Sequence, residues 1–165
     1  MISNFLWLPL LFIIHDFEEL IFVPMWVKKH KKILDKKKKP VFGGIQNSSV
    51  LAVGILEELL ILVAVSIFMI YNPTSLVYFG VLTTYLIHLV LHVILCVQYK
   101  TYVPGVVTSL IQIPICLSIL KYFYPLLNRP PFHVFLVSFI CLIIFALNIL
   151  FIHKIMSYLS QNGYL

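Results

Sequence analysis

The chain has 165 residues, of which 61% are hydrophobic and 11% charged, and its mean hydropathy is +1.03. This composition excludes an ordinary soluble domain and predicts an all-α integral membrane protein. The net charge of +6 does not indicate a nucleic-acid partner, because eight of the twelve cations lie in one run between Lys28 and Lys39.

Five transmembrane spans are predicted, joined in one polytopic helix bundle that forms a single domain over residues 1–165. Each apolar stretch exceeds the roughly 20 residues that cross the hydrocarbon core, and Pro, Asn or clustered charge separates it from the next. The expected spans are about 5–27, 44–71, 76–97, 103–124 and 132–158, with a basic loop at 28–42.

The basic loop also predicts the orientation of the bundle. Cytoplasmic loops of membrane proteins collect Lys and Arg, so this loop is expected on the inside. Five crossings then place the N-terminus outside and the C-terminus inside.

Acidic residues have an unusual distribution along the chain. Five of the six carboxylates lie inside the first two predicted spans, and every Lys and Arg lies at or beyond a span end. An ionised acid at mid-span costs roughly 2.5 to 3.5 kcal/mol if it is unpaired. We therefore expect these acids either to be protonated or to have positive charge brought to them.

Ionisable side chains of the first three spans are predicted at one depth. Counting at 1.5 Å per residue from the span ends, they lie roughly 12 to 21 Å from the cytoplasmic edge. Helical periodicity places the i, i+3 and i+4 positions of the first span on one face and aligns the two histidines of the third. These residues are His15, Glu18, Glu19, Glu57, Glu58, His88 and His92.

Other ionisable side chains receive simpler interpretations. Asp16 points away from the His15 and Glu18 side, and we treat it as a polar-face residue that supports the cluster. His133 and His153 lie near the two ends of the last span, where solvation at the membrane interface explains them.

Carboxylate and imidazole without thiolate are ligands that suit iron, manganese or zinc. Four glutamates with two or three histidines match the ligand count of a two-metal site in a helical bundle, and two divalent ions would balance the four charges. We therefore expect two divalent ions, with iron favoured, and all seven residues of the cluster as ligand candidates. Glu58 as general base and Tyr85, one turn before His88, are the catalytic candidates.

The stretch HDFEE at 15–19 is an instance of an H-x-x-E-E signature. On it the chain resembles the HXXEE-motif family of small bacterial integral membrane proteins, and the resemblance extends to LEEL at 56–59, LIHLVLH at 86–92 and YVPGVVT at 102–108. It implies a multi-pass protein of the bacterial inner membrane, with His15, Glu18 and Glu19 as defining residues. It implies no substrate, because the function of the family is undefined.

A membrane di-metal enzyme that acts on a lipid-like apolar substrate is the leading functional hypothesis. Iron chemistry of the hydroxylase or desaturase type is favoured over hydrolysis with zinc or manganese. A proton-coupled or metal-ion transporter that uses the same buried cluster is the main alternative. An intramembrane glutamate-dependent protease and a non-catalytic membrane protein are further alternatives, and membrane lipid and a second copy in a homodimer are the partners considered.

Overall fold

The computed structural model describes residues 5–36, 42 and 47–161. Within these ranges the chain is all-helical and contains no strand, which confirms the predicted fold class. A short 3-10 turn at Tyr124–Leu127 follows the fourth helix. The five α-helices are α1 Trp7–Leu34, α2 Ser48–Tyr71, α3 Leu76–Tyr99, α4 Val106–Phe123 and α5 Pro131–Gln161.

Four segments of the described chain are long and apolar enough to cross a membrane, and the chain is therefore a membrane protein. These segments are Ser48–Tyr71, Leu76–Tyr99, Val106–Leu127 and Pro131–Met156. Five spans were predicted. The first predicted span corresponds to α1. Its charged residues make α1 less apolar than the other four helices.

The polar residues of α1 turn inward. This helix has 28 residues, a length of about 42 Å at 1.5 Å per residue. His15, Asp16 and Glu19 are buried against the other helices, whereas Phe17 and Ile21 are exposed on the opposite side. The outward face of α1 is therefore apolar where the motif lies, although the sequence of the segment is mixed.

The lysine-rich segment begins as helix, where a loop was predicted from residue 28. The helix α1 continues to Leu34, whose side chain is buried. Trp26 stacks on His30 with ring centroids 4.3 Å apart, one turn further along. Lysine is a good helix former, so a run of lysines prolongs a helix that such contacts already support.

The second helix begins with an N-cap. The expected start near residue 44 falls in the range 43–46, outside the described residues. The helix α2 starts at Ser48, and the side chain of Asn47 accepts a hydrogen bond from the backbone N–H of Ser49 at 2.9 Å. This is an N-cap, which satisfies a backbone donor that has no partner within the helix.

Helix α1 packs against α2 and α4, and helix α3 packs against α4 and α5. At Gly80 the approach of α3 to α5 is so close that an added Cβ would lie 2.8 Å from Sγ of Cys141. Small residues of this kind let membrane helices approach each other closely. The bundle therefore has α1 and α3 on opposite sides of its centre, with α4 joining them.

A tight turn connects α3 to α4 and points back into the bundle. Lys100 and Gly105 have positive φ angles of 52° and 87°, and Val103 and Pro104 between them are buried. The indole of Trp26 donates a hydrogen bond to the carbonyl of Tyr102 at 2.6 Å. Non-helical backbone is tolerated near a membrane interior when protein groups satisfy it, and this turn meets that condition.

Candidate metal centre

Four side chains from α1 and α3 converge at the centre of the bundle. His15 and Glu19 come from α1, and His88 and His92 come from α3. One donor atom from each lies within 4.8 Å of the other three. Each pair has i, i+4 spacing, which places its two side chains on the same helix face.

The distances between the donor atoms are short. Nε2 of His88 lies 3.2 Å from Nε2 of His15 and 3.1 Å from Nε2 of His92. Oε1 of Glu19 lies 2.8 Å from Nε2 of His92 and 3.6 Å from Nε2 of His15. Ligands held about 2.1 Å from one ion stand about 3.0 to 3.4 Å apart in octahedral or tetrahedral geometry. The four donors therefore have the spacing of ligands around a single divalent ion.

The carboxylate of Glu19 is buried among the imidazoles of the group. Its Oε1 has no hydrogen bond of good geometry among the described residues, but it lies 2.8 Å from Nε2 of His92, and the two groups would form an ion pair with that imidazole protonated. A buried carboxylate needs positive charge beside it, which either a protonated His92 or a bound cation would supply.

The protonation of His92 follows from its outer contact. Its Nδ1 lies 2.8 Å from the carbonyl oxygen of Pro104 in the α3–α4 turn. A carbonyl can only accept, so Nδ1 must carry a proton. In a neutral imidazole the lone pair then lies on Nε2, the atom that faces Glu19 and His88.

His15 is fixed in the same tautomer by a longer chain of hydrogen bonds. Its Nδ1 lies 2.8 Å from Oγ1 of Thr108. The hydroxyl of Thr108 has one proton, and its other partners are Oε2 of Glu18 at 2.6 Å and the carbonyl of Gly105 at 3.2 Å, which both only accept. Thr108 must therefore accept from His15, which leaves the lone pair of His15 on Nε2.

With both imidazoles neutral, these two tautomers would suit a cation held between the four donors. Lone pairs of His15 and His92 both face Nε2 of His88, and a proton on that atom can bridge only one of the two contacts. A divalent ion would satisfy all the contacts at once. Metal-bound histidines in proteins generally donate their second ring nitrogen to an oxygen, as His15 and His92 do here.

Gly105 allows the two imidazoles to approach the α3–α4 turn. An added Cβ would lie 2.6 Å from Nδ1 of His92 and 2.9 Å from Cε1 of His15, and its φ angle of 87° disfavours any other residue. Both the backbone conformation and the available space therefore require glycine.

A cavity of about 220 Å³ adjoins the four donors on the side of α2 and α5. Its polar wall comes from α1, α2, α3 and α5, and the rest of its lining is apolar. Among the described residues, the ionisable ones that line it are Asp16, Glu19, Glu58, His88, His92 and His153. The apolar ones include Leu51, Ile55, Leu91, Leu95, Ile149, Ile152 and Met156.

Three of the seven predicted ligands lie outside the four-donor group. Glu18 is turned toward α4, where Tyr102 and Thr108 donate to it. Glu57 accepts a hydrogen bond from Nδ2 of Asn148 at 3.1 Å. Glu58 lines the cavity beside the group. The structure thus brings together His15, Glu19, His88 and His92 and leaves these three glutamates around them.

Tyr85, the other catalytic candidate, is engaged with α4. Its hydroxyl donates to Oε1 of Gln112 at 2.6 Å, and Gln112 in turn donates to the carbonyl of Leu11 at 3.0 Å. The ring of Tyr85 meets His15 edge-on with centroids 6.1 Å apart. Tyr85 therefore packs against His15 and donates its hydroxyl hydrogen bond to Gln112.

Two residues have a different place from the one that the sequence suggested. His153 was explained by solvation at the membrane interface, but it lines the cavity. Asp16 is buried and lines the same cavity, and its Oδ2 has no hydrogen-bond partner among the described residues. The sequence did not predict that the carbonyl of Pro104 contacts His92, because a backbone acceptor has no signature in residue type. The proline and glycine of the YVPGVVT stretch were the available signal for a turn there.

Comparison with known proteins identifies the family of the chain. No curated protein and no solved structure matches it. A family model matches residues 6–119, a range that contains the four donors, Glu18 and the α3–α4 turn. The chain therefore belongs to the family described as protein of unknown function with HXXEE motif.

Proposed function

We propose that this protein is a membrane-embedded, metal-dependent enzyme that holds a divalent ion through His15, Glu19, His88 and His92. The observation that carries the proposal is the convergence of the four donors, with two imidazole tautomers fixed from outside so that their lone pairs point inward. Three neutral imidazoles and one carboxylate suit zinc, iron or manganese.

The cavity beside the donors supports a lipid-like substrate. Side chains such as Leu91, Ile149 and Ile152 form much of its wall, and a few ionisable groups from α1, α2, α3 and α5 form the rest. Ligand pockets commonly combine an apolar lining with a few convergent polar groups. A substrate with an apolar chain would place its reacting group beside the ion.

Hydrolysis is the chemistry that the surrounding residues support best. A divalent ion bound here would polarise a carbonyl or phosphoryl oxygen and lower the pKa of water. Glu58 lines the cavity that contains Glu19 and His88, and it also lines a smaller one beside Tyr85 and His88. This position supports Glu58 as the group that accepts a proton from water, the role of a general base.

Oxidation with iron is the second candidate, and the ligand set is compatible with it. Histidine and carboxylate ligands that leave coordination positions open are typical of non-haem iron oxygenases. The two-ion site expected from the sequence also remains a proposal, with Glu58 and Asp16 as further acids that line the same cavity. Dioxygen consumption by the iron-loaded protein, which hydrolysis does not need, separates this candidate from the first.

Elemental analysis of the protein purified in detergent without chelators tests the proposal. We expect about one divalent metal ion per chain for a single site and about two for a pair. His88→Ala should lose the metal, whereas His133→Ala should retain it because His133 is exposed at the start of α5.

A wild-type protein that is folded by circular dichroism and contains less than about half an ion per chain would contradict the proposal. Flux of protons or metal ions in proteoliposomes, lost in His88→Ala, would instead support the transporter alternative.

A further inference from the structure

The cavity beside the four donors reaches the outer surface of the bundle at Leu91. This residue lines the cavity and is also 50% exposed. Its exposed neighbours on α3 are Ile87, Val90 and Ile94, which are all apolar. An exposed apolar face on a membrane-crossing helix contacts lipid. The cavity therefore opens at Leu91 toward the hydrocarbon of the membrane.

The opening lies between α3 and α5. Closer to the start of both helices, Gly80 approaches α5 so closely that an added Cβ would lie 3.2 Å from Cα of Ser138 and 2.8 Å from Sγ of Cys141. Three helical turns correspond to about eleven residues. Three turns beyond these contacts, the corresponding positions line the cavity; they are Leu91, Ile149 and Ile152. The stripes of α3 and α5 that touch at Gly80 thus border the cavity further along.

The depth of the opening determines which part of a lipid fits it. Leu91 lies about 12 Å along the helix from Tyr99, the last residue of α3, and His88 lies one turn deeper. The hydrocarbon core is about 30 Å thick, and a charged group is costly near its middle. Headgroups of lipids therefore stay outside the reach of the opening. An apolar chain, or an uncharged group on such a chain, is the part of a lipid that reaches it.

We infer that Leu91, Ile149 and Ile152 form a lateral entrance through which an apolar chain passes from the membrane to the four donors. The inference rests on the proposed function, which places the reaction beside those donors. His88 lines the same cavity one turn from Leu91, so a chain that enters here meets a donor directly. Leu91 then selects a substrate that is dissolved in the membrane over one that is dissolved in water.

Photolabelling of a buried wall of the cavity tests this route. Leu51 and Ile55 of α2 line the cavity and are 7% and 9% exposed, so a probe in the membrane reaches them through the cavity. The full chain in nanodiscs is irradiated with a dodecyl diazirine or with a short water-soluble diazirine, and labelled residues are identified by tandem mass spectrometry. We expect the dodecyl probe to label Leu51 and Ile55 at least about tenfold more than the soluble probe.

Substitutions at the entrance attribute the labelling to this route. Leu91→Trp narrows the opening and should reduce dodecyl labelling of Leu51 and Ile55 about tenfold, whereas Leu91→Ala widens it and should increase the labelling about twofold. Val90→Trp is the matched control, because Val90 is the next position on α3, is 39% exposed and does not line the cavity. It should leave the labelling unchanged.

Dodecyl labelling that neither Leu91 variant changes would overturn the inference, and so would an equal loss in Val90→Trp. Labelling by the soluble probe alone would also overturn it, since the cavity would then open to water. Metal content, measured on the same samples, separates the entrance from the proposed function. Labelling that depends on Leu91 in a chain without metal would support the entrance and contradict the proposed function, whereas a metal-loaded chain without this dependence would contradict the entrance alone.

Discussion

The two sides of the four-donor centre differ in how their polar groups are satisfied. On the side of α4, Glu18 accepts hydrogen bonds from Tyr102 at 2.7 Å, from the backbone of Val107 at 3.3 Å, and from Thr108 through both backbone and hydroxyl. On the side of α2 and α5, Oδ2 of Asp16 has no partner among the described residues, and a cavity takes the place of packed side chains.

Under the proposed function, this difference would separate the groups that position the ion's ligands from those that act on a substrate beside it. Networks in which every member is satisfied are rigid, and they fix the tautomers that direct His15 and His92 inward. An open side with unsatisfied acids leaves room for water and a substrate. We call the side toward α4 the closed side and the side toward α2 and α5 the open side. The HXXEE motif contributes Glu18 to the closed side and Glu19 to the centre.

Among changes to the closed side, substitution of Gly105 is expected to weaken metal binding most. Gly105→Ala forces a side chain into a left-handed conformation, at about 1 to 2 kcal/mol, and places Cβ against both imidazoles. We expect metal affinity, measured by competition with a chelator, to fall about 100-fold. Gly54→Ala is the control, because its Cβ would meet the flexible end of Met156. Equal affinity of the two variants would show that the turn does not shape the centre.

Removal of one hydroxyl from the closed side should have a smaller effect. Thr108→Val removes the acceptor for Nδ1 of His15 and the hydroxyl donor to Glu18, and metal affinity should fall about tenfold. Thr108→Ser keeps the hydroxyl and should restore the affinity. The visible spectrum of the cobalt-substituted protein should shift in Thr108→Val and return in Thr108→Ser; a shift shared by both variants would mean that the methyl group, and not the hydrogen bond, positions His15.

The smallest effect on metal binding is expected on the open side. Glu58→Gln should change metal affinity by less than about twofold, since Glu58 is outside the four-donor group, while hydrolysis of a long-chain ester should fall about 100-fold with loss of the base. Glu57→Gln should retain both properties. Loss of metal in Glu58→Gln would assign Glu58 to the ligands instead, and so remove the distinction between the two sides.

The sequence predicted the elements that depend on local periodicity. Apolar length was sufficient for the four membrane-crossing helices, and i, i+4 spacing was sufficient to align His15 with Glu19 and His88 with His92. The lysine run was misjudged at its start, because solvated lysines extend a helix as readily as they form a loop.

The division of labour between Glu18 and Glu19 was beyond the sequence. Adjacent helical positions are about 100° apart, so one of the two faces α4 and the other faces α3. Which one does so depends on where the neighbouring helices pack, and that is a tertiary property. The role of Pro104 was hidden for a related reason, since its contribution is a backbone carbonyl positioned by the left-handed Gly105.

His15 is far along the chain from the residues that it contacts, and this has a consequence for biosynthesis. His15 meets His88 and Thr108, which follow it by 73 and 93 residues. When α1 leaves the ribosome, its buried histidine and acids have none of these partners, and a lone helix with such groups enters a bilayer at a substantial cost. Stable placement of α1 in the membrane therefore waits for α3 and α4. In a nascent chain truncated before α4, a cysteine that replaces Phe17 on the outward face of α1 should react with a water-soluble maleimide, and in the full chain it should be protected.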